Sequence, residues 1–343
     1  MASRERSVLH VLPHAGGGGD TYVDVLSDMA GYAFQRVYVA TRRKPGVGDV
    51  ATGLLDLRRV VRGYDILHVH GEGAAGMFLP LLAVRRSVVT LHGLHLLRRV
   101  SGIRRKAAEL NLRTVLRAAS RTICVSETER EQLRSVTGRA AKRRVVVVHN
   151  GERLTAPVPA ADRHRLREEL GLAESEVVGI WVGSLDERRD PLAVVRAAEE
   201  TATPLLIVGD GPLRPRVEQA VDSSVRVLGQ RTDVPRLLEA ADFFVLMSQR
   251  EGLSFALLEA MAHGLPAIVA DVAENLEAIG DSGFPVRYGD EEAIATALRR
   301  LVENDEKRAA LGHRARQRVA DLFSAEEMIA RTRAVYDDLL GPP

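Results

Sequence analysis

Short apolar runs alternate with longer amphipathic segments along the whole chain. The runs are rich in Val, Ile and Leu without polar alternation, which is typical of strands buried on both faces of a parallel sheet. We predict strands at 8–12, 37–40, 66–70, 87–93, 122–126, 145–151, 177–183, 204–209, 225–229, 242–248, 266–271 and 283–286. In the first half we predict helices at 21–29, 76–84, 104–119 and 127–136.

Prolines and small residues interrupt this alternation at 151–162 and indicate a linker. The pattern therefore predicts an α/β protein of two tandem doubly wound Rossmann-like domains that face a cleft. We place the first domain at 1–155 and the second at 156–324, followed by a mostly helical C-terminus. In such sheets ligands bind at the carboxyl ends of the strands, so the residues that follow each strand are the candidates for function.

Composition supports a globular protein with two hydrophobic cores, since 45% of the 343 residues are hydrophobic and 27% are charged. Cys124 is the sole cysteine, so no internal disulfide can form and a buried thiol in a reducing compartment is expected. The apolar run of the N-terminal residues is too short for a signal peptide, and no apolar stretch reaches the roughly 20 residues of a membrane span. We expect a cytoplasmic protein.

Charge is divided unequally along the chain. Residues 1–150 hold 25 basic and 12 acidic residues, a net charge of +13, while the remainder holds 23 and 34, a net charge of −11. The Arg-rich, partly amphipathic stretch 91–121 makes an anionic membrane surface or an acidic acceptor a candidate partner, the alternative being a solvated helix face. Nucleic acid is disfavoured because only 4% of residues are aromatic and available for base stacking.

The first predicted strand runs into four glycines, Gly16–Gly19, followed by Asp20. Such a loop lets a phosphate or a sugar approach backbone amides, although a flexible turn is the alternative. It does not match a dinucleotide fingerprint, because Thr21 stands where the third glycine belongs and no acidic residue ends the next strand.

Histidines cluster at two strand ends: His68, His70, His92 and His95. Zinc is disfavoured because no acidic or cysteine ligand accompanies them at a suitable spacing. His92 is interpreted as a strand-end hydrogen-bonding group facing the cleft, or as a structural histidine. In the second half, Arg188, Arg189 and Arg231 follow strands, where guanidinium groups suit phosphate oxygens, although solvated surface charges are the alternative.

The stretch "QREGLSFALLEAMAHGLP" (249–266) predicts an apolar helix that contains Glu259, with Glu251 just before it. A buried carboxylate is costly without a partner, so either His263 pairs with Glu259 or the hydroxyls of a ligand such as ribose do. Ser254 either caps the helix or belongs to a phosphate site at its N-terminus.

Several motifs occur in one order along nearly the whole chain: "GGGD" (17–20), "DILHVHG" (65–71), "VVTLHG" (88–93), "HNG" (149–151), "GDGPL" (209–213), "GQRTDVPRLLEAADFFVLMSQREG" (229–252), "EGLSFALLE" (251–259), "EAMAHGLPAIVADV" (259–272) and "FSAEEMIARTRAVYDDLL" (323–340). This order resembles that of the retaining GT-B glycosyltransferases of family 4, whose Glu, seven residues, Glu motif is similar to 251–259. The resemblance implies C-terminal helices that cross back, so that about 325–343 completes an acceptor-binding first domain.

By this resemblance the chain moves a sugar from a UDP- or GDP-linked donor to a hydroxyl of a glycolipid, a saccharide or a small metabolite, without a metal or other cofactor. Glu251 and His92 would lie at the transferring sugar, and Asp20 and His70 on the acceptor side. The expected donor-binding residues are Gly17, Gly18, Gly19, Ser184, Arg189, Arg231, Gly252, Leu253, Ser254 and Glu259, with Glu259 on the ribose and Arg231 by the base.

The chain departs from the family pattern at Ser184, where an arginine is usual, with Arg189 standing for the usual lysine. It also carries Ala273 and Glu274 in place of two glycines. One alternative is therefore a catalytically weak sugar-nucleotide-binding subunit or sensor. A glycoside hydrolase using Glu251 and Glu259 is disfavoured because both belong to one loop and helix. An epimerase or a phosphorylase of the same architecture is a further alternative, the phosphorylase being disfavoured because no lysine is placed for pyridoxal attachment.

Overall fold

The structure is a computed structural model that describes residues 4–40, 61–138, 144–156 and 158–341. The chain forms two compact units. The first consists of Met1–Gly151, Glu251–Leu253 and Ala325–Pro343, and the second of Glu152–Arg250 and Ser254–Ser324. The chain first passes from one unit to the other between Gly151 and Glu152, where the sequence predicted 155 and 156.

The first unit is built on a six-stranded parallel sheet in the order β2-β1-β3-β4-β5-β6. Its strands are β1 (Arg6–His14), β2 (Tyr32–Ala40), β3 (Ile66–His70), β4 (Ser87–Thr90), β5 (Arg121–Cys124) and β6 (Val145–Val147). Its helices are α1 (Gly18–Leu26), α2 (Glu72–Met77), α3 (Leu79–Val84), α4 (His95–Arg99), α5 (Gly102–Ala118), α6 (Glu127–Thr137) and, in the numbering of the whole chain, α15 (Ala325–Leu340), with a short 3₁₀ turn at Val61–Gly63.

The second unit has a second six-stranded parallel sheet in the order β12-β11-β10-β7-β8-β9. Its strands are β7 (Gly179–Val182), β8 (Leu205–Val208), β9 (Val225–Gly229), β10 (Phe243–Leu246), β11 (Ala267–Ala270) and β12 (Gly283–Val286). Its helices are α7 (Ala160–Glu169), α8 (Pro191–Glu200), α9 (Arg214–Ala220), α10 (Val234–Ala240), α11 (Phe255–Ala262), α12 (Ala273–Ile279), α13 (Glu291–Val302) and α14 (Asp305–Leu322). The predicted α/β class with two parallel sheets is confirmed.

Burial explains why these runs form central strands. Every residue of β3, β4, β8, β10 and β11 is buried, which fits strands covered by helices on both faces. Side-chain caps begin several helices: Ser126 accepts from the Glu129 amide at α6, and Asp190 accepts from the Ala193 amide at α8.

Each sheet reverses its strand order once, and in sheets of this kind ligands bind at the carboxyl ends of the strands at that reversal. In the first unit the reversal lies between β1 and β3, whose carboxyl ends lead to the glycine loop and to Gly71. In the second unit it lies between β7 and β10, whose carboxyl ends lead to Gly183 and to the residues before Glu251. These two edges contain the predicted site residues that follow β1, β7 and β10.

The C-terminal helix α15 packs in the first unit, although it follows the second unit in the chain. The Tyr336 hydroxyl lies 2.7 Å from His68 Nδ1, and Asp337 pairs with Arg6 at 2.6 Å. The first unit thus includes residues from the far end of the chain.

Candidate functional site

The glycine loop has two distinct requirements for glycine. Gly16 and Gly17 have φ of 80° and 95°, a left-handed conformation that strains other residues, and Gly17 is the N-cap of α1. A Cβ on Gly19 would lie 2.7 Å from Leu12 Cδ2, so this position is restricted by packing. The loop therefore brings backbone amides at the start of α1 to the edge of the sheet without a side chain to cap them.

Asp20 stabilises the conformation of this loop. Its carboxylate accepts hydrogen bonds from the Gly16 amide and, at 2.7 Å, from the Tyr38 hydroxyl, and Arg36 lies 3.4 Å away. The carboxylate therefore holds the glycine turn closed and fixes the start of α1.

Three histidines of the first unit, His10, His70 and His92, form a hydrogen-bonded row. His10 Nδ1 lies 2.8 Å from His70 Nε2, and His70 Nδ1 lies 2.8 Å from His92 Nε2. In both pairs the ring centroids are 5.1 Å apart, with interplanar angles of 29° and 22°. His10 and His70 are fully buried, whereas His92, at one end of this row, is half-buried. His70 thus lies behind His92.

Burial keeps these histidines neutral. It lowers the pKa of His10 and His70 well below the usual value, with a smaller contribution from neighbouring histidines. Burial also lowers the pKa of His92 to about 3. At physiological pH each ring therefore has one N–H and one lone pair.

His10, His68 and His70 lie close enough to suggest a metal site, with ligand atoms within 4.8 Å of one another. Most of their ring nitrogens already make hydrogen bonds, however: His68 bonds to Tyr336 and, at 2.7 Å, to the Thr90 hydroxyl, His70 bonds to His10 and to His92, and only His10 Nε2 has no partner among the described residues. A metal ion would have to break these bonds, so the arrangement favours a hydrogen-bonded network.

The turn after β4 is unusually strained. His92, Gly93 and Leu94 have φ of 61°, 112° and 47°, three left-handed residues in succession. Two buried carboxylates hold the turn: Glu129 accepts from the Gly93 amide and, at 2.8 Å, from the Val125 amide, and Glu72 accepts from the Leu96 amide at 2.5 Å. The backbone under His92 is therefore fixed from α6 and from α2.

This turn packs against the start of the 251–259 motif. A Cβ on Gly93 would lie 2.9 Å from the Gly252 amide nitrogen and 3.0 Å from the Glu251 carbonyl oxygen. A Cβ on Gly252 would lie 3.0 Å from the His92 carbonyl carbon. Asn150 Nδ2 donates to the Leu253 carbonyl at 2.6 Å. The structure thus brings His92, Glu251, Gly252 and Leu253 together within the first unit.

Glu259 lies in the second unit, half-buried on α11. Its carboxylate has no hydrogen bond or ion pair with any residue that the structure describes. Burial, followed by the charge of Glu152, raises the pKa of Glu259 to about 7. Of the two partners predicted for this carboxylate, His263 is wrong, because His263 Nδ1 bonds to the Glu259 carbonyl oxygen at 2.8 Å.

Ser254 caps α11, its hydroxyl accepting from the Leu257 amide at 3.4 Å. This is the simpler of the two roles predicted for it, and it leaves a phosphate contact from the backbone untested.

Positive groups follow β7. The Arg189 side chain lies over Gly183, where an added Cβ would be 3.1 Å from Arg189 Cδ, and it pairs with Asp186 at 3.5 Å. Arg188 donates to the Arg250 carbonyl at 2.8 Å, which ties this loop to the residues before Glu251. The Ser184 hydroxyl is buried without a hydrogen-bond partner among the described residues.

Arg231 is exposed and pairs with Asp233 at 2.7 Å. To contact the base, Arg231 would have to leave Asp233 or bind Asp233 and the base together.

Sequence reasoning missed three functional candidates: His10, Glu72 and Glu129. His10 stands in an apolar strand, but in the parallel register it lies opposite His68, so a pairing of β1 with β3 would have exposed the signal. Glu129 follows Ser126 by three residues, a capping-box spacing that explains its position on α6 but not its second bond to Gly93. Among the residues that the structure describes, no helix is both long and apolar enough to span a bilayer.

Two family models match the chain. Residues 9–153 match the model described as Glycosyltransferase Family 4, and residues 177–304 match Glycosyl transferases group 1.

Curated relatives are similar to most or part of the chain. A D-inositol 3-phosphate glycosyltransferase of Salinispora arenicola is 30% identical over 82% of this chain and 70% of the relative. An Escherichia coli UDP-Gal:alpha-D-GlcNAc-diphosphoundecaprenol alpha-1,3-galactosyltransferase is 28% identical over 81% of this chain and 76% of the relative. An N-acetyl-alpha-D-glucosaminyl L-malate synthase of Bacillus anthracis is 32% identical over 52% of this chain, and that match spans only 50% of the relative.

Solved structures share the fold. Sucrose-phosphate synthase from Thermosynechococcus elongatus superposes with a TM-score of 0.80, at 19% identity, over 98% of this chain and 99% of that chain. The Anabaena protein HepE in complex with UDP-glucose superposes with a TM-score of 0.78, at 18% identity, over 96% of this chain and 99% of that chain.

Proposed function

The chain belongs to glycosyltransferase family 4, and from that premise we propose that it transfers a hexosyl group from a UDP-sugar to an acceptor hydroxyl, with retention and without a metal. UDP is chosen over GDP because the names of the E. coli relative and of the HepE complex specify UDP-linked sugars. The observation that carries the proposal is Glu259, a half-buried carboxylate without a partner among the described residues. Two adjacent ribose hydroxyls would satisfy it.

On the second unit, Glu259 binds the ribose, and Arg189 together with the amides at the start of α11 neutralises the diphosphate. Arg231 lies by the base. On the first unit, His92 and Glu251 contact the transferring sugar, and the amides of Gly17–Gly19 approach the diphosphate. Asp20 and His70 act indirectly, through the glycine loop and through His92, because their polar atoms are already bonded.

In the reaction, the acceptor oxygen forms a bond to the anomeric carbon as the bond from that carbon to the diphosphate oxygen breaks, on the same face of the sugar. The acceptor proton passes to the departing phosphate oxygen, so that the products are UDP and a glycoside with the anomeric configuration of the donor. No side chain forms a covalent intermediate. Preorganised positive groups stabilise the departing diphosphate, which is the largest contribution such a site offers.

Donor binding tests the proposal directly. We expect UDP-hexoses to raise the melting temperature of the protein, GDP-hexoses to have no effect, and Glu259→Ala to abolish the UDP-hexose shift. Unchanged donor binding in Glu259→Ala would contradict the role given to this carboxylate. Glu306→Ala, which removes an exposed carboxylate on α14, is the control. This variant should keep the UDP-hexose shift.

A second function, a sugar-nucleotide-binding subunit or sensor with little turnover, is favoured by Ser184. This residue replaces a usual arginine, and its buried hydroxyl has no partner among the described residues. Ser184→Arg distinguishes the two functions: it should raise turnover strongly in a weakened enzyme. If wild-type protein binds UDP-hexoses tightly and mass spectrometry detects no product with any acceptor, the sensor function is supported.

The acceptor we propose is lipid-linked, and the protein reaches it at an anionic membrane surface through the first two turns of α5. All residues of Gly102–Ala107 are exposed, Ile103 is 84% exposed, and Arg104, Arg105 and Lys106 lie beside it. The name of the E. coli relative specifies a diphosphoundecaprenol acceptor, which supports this class.

A further inference from the structure

The three linked histidines of the first unit have a fixed number of protons. His10, His70 and His92 are neutral, so each ring contributes one N–H and one lone pair. The two hydrogen bonds that join the three rings, each 2.8 Å long, use two of the three N–H groups. The third N–H must therefore lie at one end of the row of histidines, on His10 Nε2 or on His92 Nδ1.

The surroundings of the two ends differ. His10 Nε2 is buried and has no hydrogen-bond partner among the described residues. A buried N–H without an acceptor is rarer, and costlier, than an acceptor left incompletely satisfied. His92 is half-buried, and its Nδ1 makes no hydrogen bond with any described residue, so an N–H there can bond to water or to a ligand. The unpaired N–H is therefore favoured on His92.

We propose that His10, His70 and His92 form a directional relay that fixes His92 as the Nδ1–H tautomer and presents this group as a hydrogen-bond donor. In the relay His10 Nδ1–H donates to His70 Nε2, and His70 Nδ1–H donates to His92 Nε2. His10 and His70 are positioning residues, since neither is exposed. The proposal rests on the proposed function in one respect, that His92 contacts the transferring sugar, and it adds that His92 recognises an acceptor oxygen of that sugar.

The relay also orients the ring. The bond between Glu129 and the Gly93 amide fixes the backbone next to His92, and the Tyr22 ring packs edge-on against the His92 ring, with centroids 5.2 Å apart. The bond from His70 fixes the ring plane, with 22° between the two rings. The hydrogen bond from His70 thus sets both the tautomer of His92 and the orientation of its ring.

The tautomer is measured in the free, full-length protein by long-range ¹H–¹⁵N correlation spectra after ¹⁵N labelling of histidine. Signals are assigned with single histidine variants. We expect Nδ1 protonated and Nε2 unprotonated on all three rings, in the absence of any substrate. A protonated Nε2 on His92 in the wild-type protein would overturn the relay.

Two variants of His70 test its action on His92. His70→Leu removes the donor to His92 Nε2, so we expect His92 to populate both tautomers and kcat/KM for the donor sugar to fall by about tenfold, the loss of about one hydrogen bond. In His70→Gln the amide oxygen accepts from His10 and the amide N–H donates to His92. This variant should retain the Nδ1–H tautomer and restore kcat/KM to within about threefold of wild type.

The outcomes separate this proposal from the proposed function. If UDP-hexose turnover is present and depends on Glu259 but His92 is the Nε2–H tautomer, only the relay is wrong. If His70→Leu leaves the His92 tautomer and kcat/KM unchanged, His70 is not a positioning residue. Absence of turnover with the Nδ1–H tautomer present would contradict the proposed function and leave the relay intact.

Discussion

Glu259 illustrates how a single residue can lower stability for the sake of binding. In the folded chain burial raises its pKa from 4.5 to about 7, so the native state holds the proton more tightly than the unfolded state does. Stability is therefore lost as pH rises from about 4.5 to about 7, and above that range the penalty is complete. A ligand that donates hydrogen bonds to the carboxylate would remove the penalty.

We predict that Glu259→Gln raises the melting temperature relative to wild type at pH 8 and has little effect at pH 4.5, because the neutral amide avoids the buried charge. The same variant should lose the UDP-hexose shift. Scanning calorimetry across pH measures both effects. Glu306→Gln, a change at an exposed position, should show no such pH-dependent difference, and equal melting temperatures for Glu259→Gln and wild type at pH 8 would contradict the prediction.

How much of the site the sequence predicts depends on whether a residue looks unusual in its own segment. Glu259 was found because its helix is otherwise apolar. Glu129 was missed because its helix is rich in charge, and only the fold shows that this carboxylate is fully buried. The contact of Gly93 with Gly252 was missed because it joins residues far apart in the chain.

At the scale of elements, the hydrophobic pattern predicted the strands but extended several of them. The predicted strand 87–93 ends at Thr90, and 145–151 ends at Val147. The residues that follow, Leu91 and Val148, are buried, and their amides still donate to the Ile123 and Cys124 carbonyls of β5, although they lie outside the strands. Apolar character reports burial, and burial continues beyond the end of a strand. The predicted helix 76–84 lies in two helices, the second of which begins beside Pro80.

The strained turn after β4 makes a testable link between an element and the site. We predict that Gly93→Ala lowers the free energy of unfolding by about 1–2 kcal/mol or more, and lowers kcat by about tenfold or more, because the new Cβ displaces the Glu251–Gly252 backbone. Gly31→Ala is the matched control: φ there is 81°, but nothing lies within 4 Å of the added Cβ. It should lose similar stability and keep its activity. Equal activity in the two variants would contradict the prediction.

The carboxylate that holds this turn gives a second prediction. Glu129→Gln keeps one acceptor oxygen but loses the charge and one of the two amide bonds, to Gly93 or to Val125. We expect the free energy of unfolding to fall by about 1.5–3 kcal/mol, as for a hydrogen bond to a charged group. Urea denaturation measures the change. Glu131→Gln, at an exposed position on the same helix, should remain within about 0.5 kcal/mol of wild type, and a similar result for Glu129→Gln would show that its bonds contribute little.

Over the whole molecule, the unequal division of charge includes one exposed basic run, Arg104–Lys106, where α5 begins. No acidic residue lies in the first turn of this helix, and its N-cap, Ser101, makes no side-chain bond to the free amides. The helix dipole therefore adds positive potential to that of Arg104, Arg105 and Lys106. Arg105 pairs with Glu109 at 3.2 Å, an exposed ion pair that offsets part of this charge. Leu110, 65% exposed on the same helix, adds apolar surface beside these cations.

We predict that the protein floats with vesicles containing phosphatidylglycerol at about 0.1 M salt and not at about 1 M, where the Debye length falls from about 10 Å to about 3 Å. Replacing Arg104, Arg105 and Lys106 together by Gln should weaken binding by about 3 kcal/mol, about 1 kcal/mol for each charge. Ile103→Ser should weaken it further at any salt concentration, because the apolar contact is not screened.

A matched control removes the same charge from the second unit: Arg165, Arg236 and Arg314, all at least half-exposed, are replaced by Gln. If binding were a response to net charge alone, this variant would lose as much affinity as the α5 variant. We expect it to bind like wild type, because attraction to a surface decays within a Debye length and depends on where the charges lie. Retention of flotation by the α5 variant would show that the start of α5 is not the membrane-binding surface. Absence of flotation by the wild-type protein at about 0.1 M salt would contradict the lipid-linked acceptor, and a soluble saccharide or small metabolite would then replace the lipid as the substrate to test.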